Sequence, residues 1–228
     1  MSFTKEIVNF SGLSNSDIKT KLAELNIPLT TEEALKIQNN MLGRAPSLAE
    51  LILFSIQGSE HCSYKSSRNH LKQFTTEGPD VVLGAKEDAG VIAVATDNDG
   101  HRWCVVMSHE SHNHPSALDP YGGSATGIGG ILRDVVCMGA QPVALVDSLF
   151  FGDLDLPREK LADGVKHPRY LMGGVVAGIR DYGNRVGIPT VAGQVSFHPQ
   201  YTDNPLVIVG CVGMVRKEMM IHSRAGAV

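Results

Sequence analysis

From residue 91 to residue 215, short apolar runs alternate with longer stretches of helical spacing, and this alternation restricts the fold most. Residues 91–97 (VIAVATD) and 103–109 (WCVVMSH) predict two strands joined by Asn98-Asp99-Gly100, a hairpin signal. Residues 122–139 place Ile128, Ile131, Leu132 and Val135 at helical spacing, and 143–151 read as a buried strand. Residues 168–186 predict a second helix, and 190–197 and 206–215 two last strands. The order ββαβαββ points to the α/β class, or to an α+β layered sheet with helices stacked on it.

The first eighty residues have a different character. Ile18, Leu22 and Leu25 repeat at helical spacing until Pro28. Thr30 followed by Glu33 is a capping-box pattern that predicts a helix through about Met41. Ser47 is the expected N-cap of a third helix, which Gly58 stops. A polar stretch follows over 59–72. Glycines and a proline cluster between about 75 and 90, so a helical and linker region (1–80) is expected ahead of the layered domain (81–228).

The chain is 43% hydrophobic, which excludes wholesale disorder. Twenty basic residues against 24 acidic ones leave a net charge of -4, so there is no bulk attraction to nucleic acid or an anionic membrane. No apolar run approaches the ~18–20 residues of a membrane span, and Met1–Gly12 lacks a signal-peptide core. Cys62, Cys104, Cys137 and Cys211 form no CxxC pair and are expected to be free thiols in a cytoplasmic protein.

Of 24 glycines, 14 lie in 122–193, the densest run being Gly122-Gly123-Ser124-Ala125-Thr126-Gly127-Ile128-Gly129-Gly130. Placed before a helix, such a run reads as a loop whose bare amides, with Gly127, Gly129 and Gly130, can approach a phosphate. It is neither a Walker A loop nor a GxGxxG fingerprint. Tight helix–sheet packing is the competing explanation.

Beside it stands Ser108-His109-Glu110-Ser111-His112-Asn113-His114-Pro115-Ser116, at the end of a predicted strand. Alternation along an extended chain puts Glu110, His112 and His114 on one side. His112 suits a general base near neutral pH, and Glu110 a hard cation. Asp134 can add a second carboxylate for Mg²⁺, and Arg133 can hold a phosphate. A metal-dependent hydrolase built on Glu110, His112 and His114 is an open alternative, although the segment is not HExxH. A non-catalytic dimerisation or binding module is another. Ser59-Glu60-His61-Cys62-Ser63-Tyr64-Lys65-Ser66-Ser67 offers a further His, Tyr and Lys.

Taken together, residues 59–67, 110–116, 125–135, Met138-Gly139-Ala140-Gln141-Pro142 and Asp181-Tyr182-Gly183-Asn184 resemble the synthetase subunit of phosphoribosylformylglycinamidine synthase. Leu42-Gly43-Arg44 and Thr76-Glu77-Gly78-Pro79 fit the same family. The resemblance implies an N-terminal helical and linker region followed by one half of an aminoimidazole-ribonucleotide-synthetase-like α/β barrel. It implies an ATP- and Mg²⁺-dependent ligase that converts formylglycinamide ribonucleotide, ATP and glutamine-derived ammonia to formylglycinamidine ribonucleotide through an iminophosphate. It also implies a glutaminase subunit and a small accessory subunit as partners, and self-association through the half barrel. By position, His61 and His112 match active-site histidines, His112 as proton acceptor. Tyr64 matches an ATP contact, Glu110 and Asp134 match magnesium ligands, and Ser111, His112, Asn113, His114 and Arg133 match substrate contacts. Ser108 and Gln194 stand where the family usually has Lys and Glu; Lys65, Arg68 and Lys72 are candidate replacements for the lysine. The family's subunits are several times longer, so this chain is expected to be a portion that does not complete the catalytic site by itself.

Overall fold

The computed structural model describes residues 6–222, apart from the side chains of Glu60 and His61. The chain divides into two compact units, Met1–Thr75 and Thr76–Val228.

The first unit is helical, and its helix starts follow from capping chemistry. Helices α1 (Asn15–Glu24), α2 (Thr31–Lys36) and α3 (Leu48–Gln57) each begin at a hydroxyl N-cap, Ser14, Thr30 and Ser47. In each, the hydroxyl accepts from the backbone N–H three residues on, while the carboxylate there (Asp17, Glu33, Glu50) accepts from the cap's own N–H. Arg44 grips Glu50 through two N–H donors at 3.0 and 2.7 Å. The Arg44 and Ser47 bonds hold the Glu50 carboxyl well below the usual carboxylate range. The expected second helix changes pitch: Ile37–Leu42 is π-helical and ends at Gly43, whose φ of 65° suits glycine. This wider turn buries Gln38, which accepts from the Phe10 N–H at 2.9 Å and donates to the Ser11 hydroxyl at 2.9 Å. Around it pack Val8, Phe10, Ile18, Leu22, Ile27, Ala34, Ile37 and Leu51. The polar stretch contains two single turns, α4 (Glu60–Ser63) and α5 (Arg68–Leu71).

The second unit is a six-stranded sheet in the order β1-β2-β3-β6-β4-β5. Its strands are β1 (Val81–Leu83), β2 (Gly90–Thr96), β3 (Arg102–Ser111), β4 (Gln141–Phe151), β5 (Thr190–Phe197) and β6 (Leu206–Arg216). All pairs are antiparallel except β4–β5. That parallel pair is bridged by helix α8 (Pro168–Val186), as a parallel connection requires. The other helices are α6 (Asn113–Leu118) and α7 (Pro120–Cys137). Strand β1 and helix α6 are additions to the expected element order, both too short to show a period. The Asn98-Asp99-Gly100 hairpin forms, with Gly100 at φ 86°.

One sheet face is covered by α7 and α8. Val106 of β3, Leu145 and Phe151 of β4 and Val209 of β6 meet Ile128, Ile131 and Val135 of α7 and Leu171 and Val175 of α8. Burying each such side chain contributes about 1.5–3 kcal/mol. The two helices cross closely because Gly174 and Gly178 face Pro120, Tyr121 and Ser124. The Ser124 hydroxyl donates to Pro120 O at 2.7 Å and Val175 O at 3.0 Å, tying the pair together. The other sheet face is open. Ile92 pairs with Val105 and Val105 with Met214, and Ile92, Val94, Met107 and Met214 are exposed there. Every residue of β5 is exposed as well.

Two expectations are corrected. The glycine run is not a loop: it lies inside α7, which starts earlier, at the Asp119 N-cap and Pro120. The strand pattern does not continue past Ser111 either. The chain turns at His112 (φ -121°, ψ 47°) into α6, so His114 leaves the side occupied by Glu110 and His112.

Candidate functional site

The site is built where β3 ends against α7. Strand alternation turns Cys104, Val106, Ser108 and Glu110 toward the helices. Ser108 is buried, and its hydroxyl donates to Asp134 Oδ2 at 2.7 Å. Cys211 pairs with Ser108 in register; burial pushes its thiol up to about 11, and the nearby Asp134 charge adds to this. One step along the strand, Glu110 Oε1 lies 3.5 Å from His112 Nδ1, which has no hydrogen-bond partner of good geometry. The turn itself is stapled to β6. The His112 N–H donates to Val207 O at 2.8 Å, and the Val207 N–H donates to Asn113 Oδ1 at 2.7 Å.

The glycines of α7 make this approach possible. A Cβ on Gly127 would stand 3.1 Å from the His112 ring, and one on Gly130 would stand 2.6 Å from Glu110 Oε1. Each interior glycine costs a helix ~1 kcal/mol relative to alanine, which the close packing offsets. Their amides belong to the helix interior, where N–H groups bond four residues back. Gly127, Gly129 and Gly130 therefore do not present free amides to a phosphate, and that expectation is corrected. What they leave open is a cleft of about 520 Å³ lined by Glu110, His112, Thr126, Gly129, Gly130, Arg133 and Tyr182.

Among the expected site residues, the structure gathers Glu110, His112 and Arg133 in the cleft, with Asp134 one residue beyond Arg133 on α7. Within the second unit it does not gather Ser111, Asn113 and His114. Ser111 and His114 are exposed and do not line the cleft, and the Asn113 carboxamide oxygen is occupied by Val207. His61 lies on α4, its side chain outside the described residues. Tyr64 is exposed and takes φ 50°, a left-handed conformation uncommon for an aromatic residue. Of the candidate lysine replacements, Lys65 is paired with Glu33 at 2.8 Å, and Arg68 donates to Ser63 O at 3.0 Å. Burial would raise the Glu33 carboxyl, but the Lys65 and Thr30 bonds outweigh it and hold it low. Gln194 sits on exposed β5, opposite Ser148 of β4.

Tyr182 and Thr126 were not foreseen as cleft residues. Tyr182 was legible in principle, because it continues the buried stripe Leu171, Val175, Ile179 of α8 at a spacing of about four. A buried acid also lies in this part of the sheet. Val209 pairs with both Glu110 and Asp147, and burial raises the Asp147 carboxyl to about 6, opposed by Thr190.

Among the described residues no group of three or more His, Cys, Asp and Glu converges to hold a metal, so the Glu110–His112–His114 hydrolase triad is not assembled. Zinc needs three or four protein ligands. Mg²⁺ takes one or two carboxylates and completes its shell with phosphate and water, and Glu110 and Asp134 can supply two. No helix among the described residues is long and apolar enough to cross a membrane.

Comparison with known proteins agrees with this architecture. Residues 86–215 match the AIR synthase related protein, N-terminal domain, and residues 18–65 match the formylglycinamide ribonucleotide amidotransferase linker domain. A phosphoribosylformylglycinamidine synthase subunit PurL from Thermoplasma acidophilum is 50% identical over 208 residues, covering 90% of this chain and 26% of the relative. T. maritima PurL complexed with ATP is 36% identical with a TM-score of 0.65, covering 85% of this chain and 29% of that one. The same protein complexed with FGAR is 38% identical with a TM-score of 0.66, covering 85% and 28%. The chain thus spans about a quarter of the length of the curated relatives it matches. It belongs to the AIR synthase related family, through that family's N-terminal domain.

Proposed function

We propose that the chain is the N-terminal part of the ligase that converts formylglycinamide ribonucleotide, ATP and ammonia to formylglycinamidine ribonucleotide, ADP and phosphate. The observation that carries this reading is the joint placement of Glu110, His112 and Arg133 in one cleft of a domain shared with proteins of that name.

In this reading the glycinamide carbonyl oxygen, on the carbon bonded to the ribosylamine nitrogen, attacks the ATP γ-phosphorus, giving an iminophosphate and ADP. Ammonia then adds at the activated carbon, and phosphate leaves with the C–O bond. His112 accepts the proton that the incoming ammonia sheds. Arg133 is exposed, makes no ion pair among the described residues, and suits a two-pronged grip on the substrate phosphate. Glu110 and Asp134 are the residues that would hold Mg²⁺, which would offset polyphosphate charge. The Ser108 hydroxyl keeps the Asp134 carboxylate aimed. His61 and Tyr64 serve the ATP end, and the left-handed turn at Tyr64 suits a residue whose placement matters more than its backbone comfort. The working location is the cytoplasm, with a glutaminase subunit delivering ammonia and a small accessory subunit in the complex.

Calorimetry with Mg²⁺ and ATP present should show formylglycinamide ribonucleotide binding to this chain, and Arg133→Ala should weaken it by roughly ten- to a hundred-fold, as for a lost charged hydrogen bond. An Arg133→Ala variant that binds as wild type defeats this assignment. The open sheet face fits pairing with a second half barrel, because a large exposed apolar patch on a sheet marks an interface. Sedimentation should therefore find a dimer at micromolar concentration, which charges at Ile92 and Met107 disperse; a monomer at all concentrations contradicts the pairing.

A further inference from the structure

Three glycines of α7 each make room for one side chain of the cleft. Gly127 accommodates His112 and Gly130 accommodates Glu110. The third, Gly129, accommodates Tyr182 of α8: a Cβ there would stand 2.8 Å from the Tyr182 hydroxyl and 3.1 Å from Cζ. The phenol thus lies against the bare α7 backbone at Gly129 and lines the cleft with Glu110 and Arg133.

Tyr182 is 37% exposed, so its hydroxyl is accessible to a ligand. Its neighbour Tyr121 instead donates to Asp181 Oδ2 at 3.2 Å across the α7–α8 pair. The Tyr182 hydroxyl has no hydrogen-bond partner among the described residues, although it lines the same cleft as Arg133 and Glu110. A phenol donor and a guanidinium outside any ion pair, lining one cleft, together match an anionic ligand oxygen.

We infer that Tyr182 is a ligand-binding residue of this cleft, donating its hydroxyl proton to an oxygen of the phosphomonoester that Arg133 grips. The inference rests on the ribonucleotide reading above and adds to it the residue that tells a phosphorylated ligand from its nucleoside. Gly129 becomes the socket that lets Tyr182 arrive.

The test is calorimetric titration of this chain with formylglycinamide ribonucleotide and with its dephosphorylated nucleoside, for wild type, Tyr182→Phe, Gly129→Ala and Arg133→Ala. Tyr182→Phe should bind the ribonucleotide about ten-fold more weakly, the loss of one hydrogen bond to a charged group, and bind the nucleoside unchanged. Gly129→Ala should reproduce that loss by pushing the phenol aside, while its thermal stability holds. If Arg133→Ala weakens binding but Tyr182→Phe does not, the phenol is packing only and this inference fails while the ribonucleotide reading stands. If Tyr182→Phe weakens ribonucleotide and nucleoside alike, the phenol does not read the phosphate and the inference fails. If wild type does not discriminate ribonucleotide from nucleoside, or binds neither, the ribonucleotide reading itself falls.

Discussion

Replacing His112 with alanine in a full-length synthetase that carries this chain should lower ammonia-dependent amidine formation by roughly 10²–10⁴-fold, the usual contribution of a positioned general base. Stability should change little. The turn that carries His112 is held by its backbone, through the N–H bond to Val207 O, and by Asn113, and neither involves the imidazole. The ring faces the cleft, with 16% of the side chain exposed, so its removal enlarges an existing opening and creates no sealed cavity. The measurement is turnover with ammonia supplied directly, beside ribonucleotide binding and a thermal melt. Turnover at the wild-type rate in a folded protein removes His112 from the reaction. Lost turnover together with lost fold would show that the ring is structural, contrary to the backbone account.

The second large effect concerns Gly123. Glycine to alanine inside a helix ordinarily stabilises by ~1 kcal/mol. At Gly123 the sign should reverse, because the added Cβ would stand 2.5 Å from Ser116 N, 2.6 Å from Pro115 C and 2.8 Å from Ser116 Cα. All three are backbone atoms of α6 and none can rotate away. Gly123→Ala should therefore destabilise the second unit by about 3 kcal/mol, the upper range for overpacking. It should also loosen the His112–Pro115 turn. Gly173 of α8 is the control: it is exposed, with nothing within 4 Å of its would-be Cβ, and Gly173→Ala should raise stability by ~0.5–1 kcal/mol. Urea denaturation of both variants decides the matter. Equal shifts for the two would mean that helix propensity outweighs the α6–α7 contact.

These two glycines show how far the sequence could be read. Helices α2 and α3 were legible because Thr30 and Ser47 satisfy orphan amides by local chemistry, which needs no tertiary partner, and α1 from the spacing of Ile18, Leu22 and Leu25; its Ser14 cap was not read. Helix α8 was legible from its stripe of Leu171, Val175 and Ile179. The glycine run misled for a physical reason. Its intrinsic preference is for a loop, and the helix exists because His112, Glu110, Tyr182 and the α6 backbone need the missing methyl groups, all of them distant in sequence. His114 misled in a similar way. Alternation assumed an extended chain, whereas the bond from Val207 to Asn113 ends the strand there, and a β6 residue is invisible from a β3 motif. The Glu110–His112–Arg133 cluster was legible as chemistry before it was legible as geometry.

Strand β6 lies between β3 and β4, although it is the last of the six to leave the ribosome. Ser111 of β3 must wait for Ile208, and Phe150 of β4 must wait for Leu206. During synthesis the β2–β3 hairpin and the β4–α8–β5 unit can each form early, but they remain two separate sheets with bare inner edges. Bare edges invite pairing with other chains. Closure is thus a late, long-range event of the kind that slows folding. A nascent chain halted before Leu206 carries the histidine motif and all seven cleft residues, yet lacks the Val207 groups that staple the motif, so the cleft is completed only when the centre of the sheet is filled.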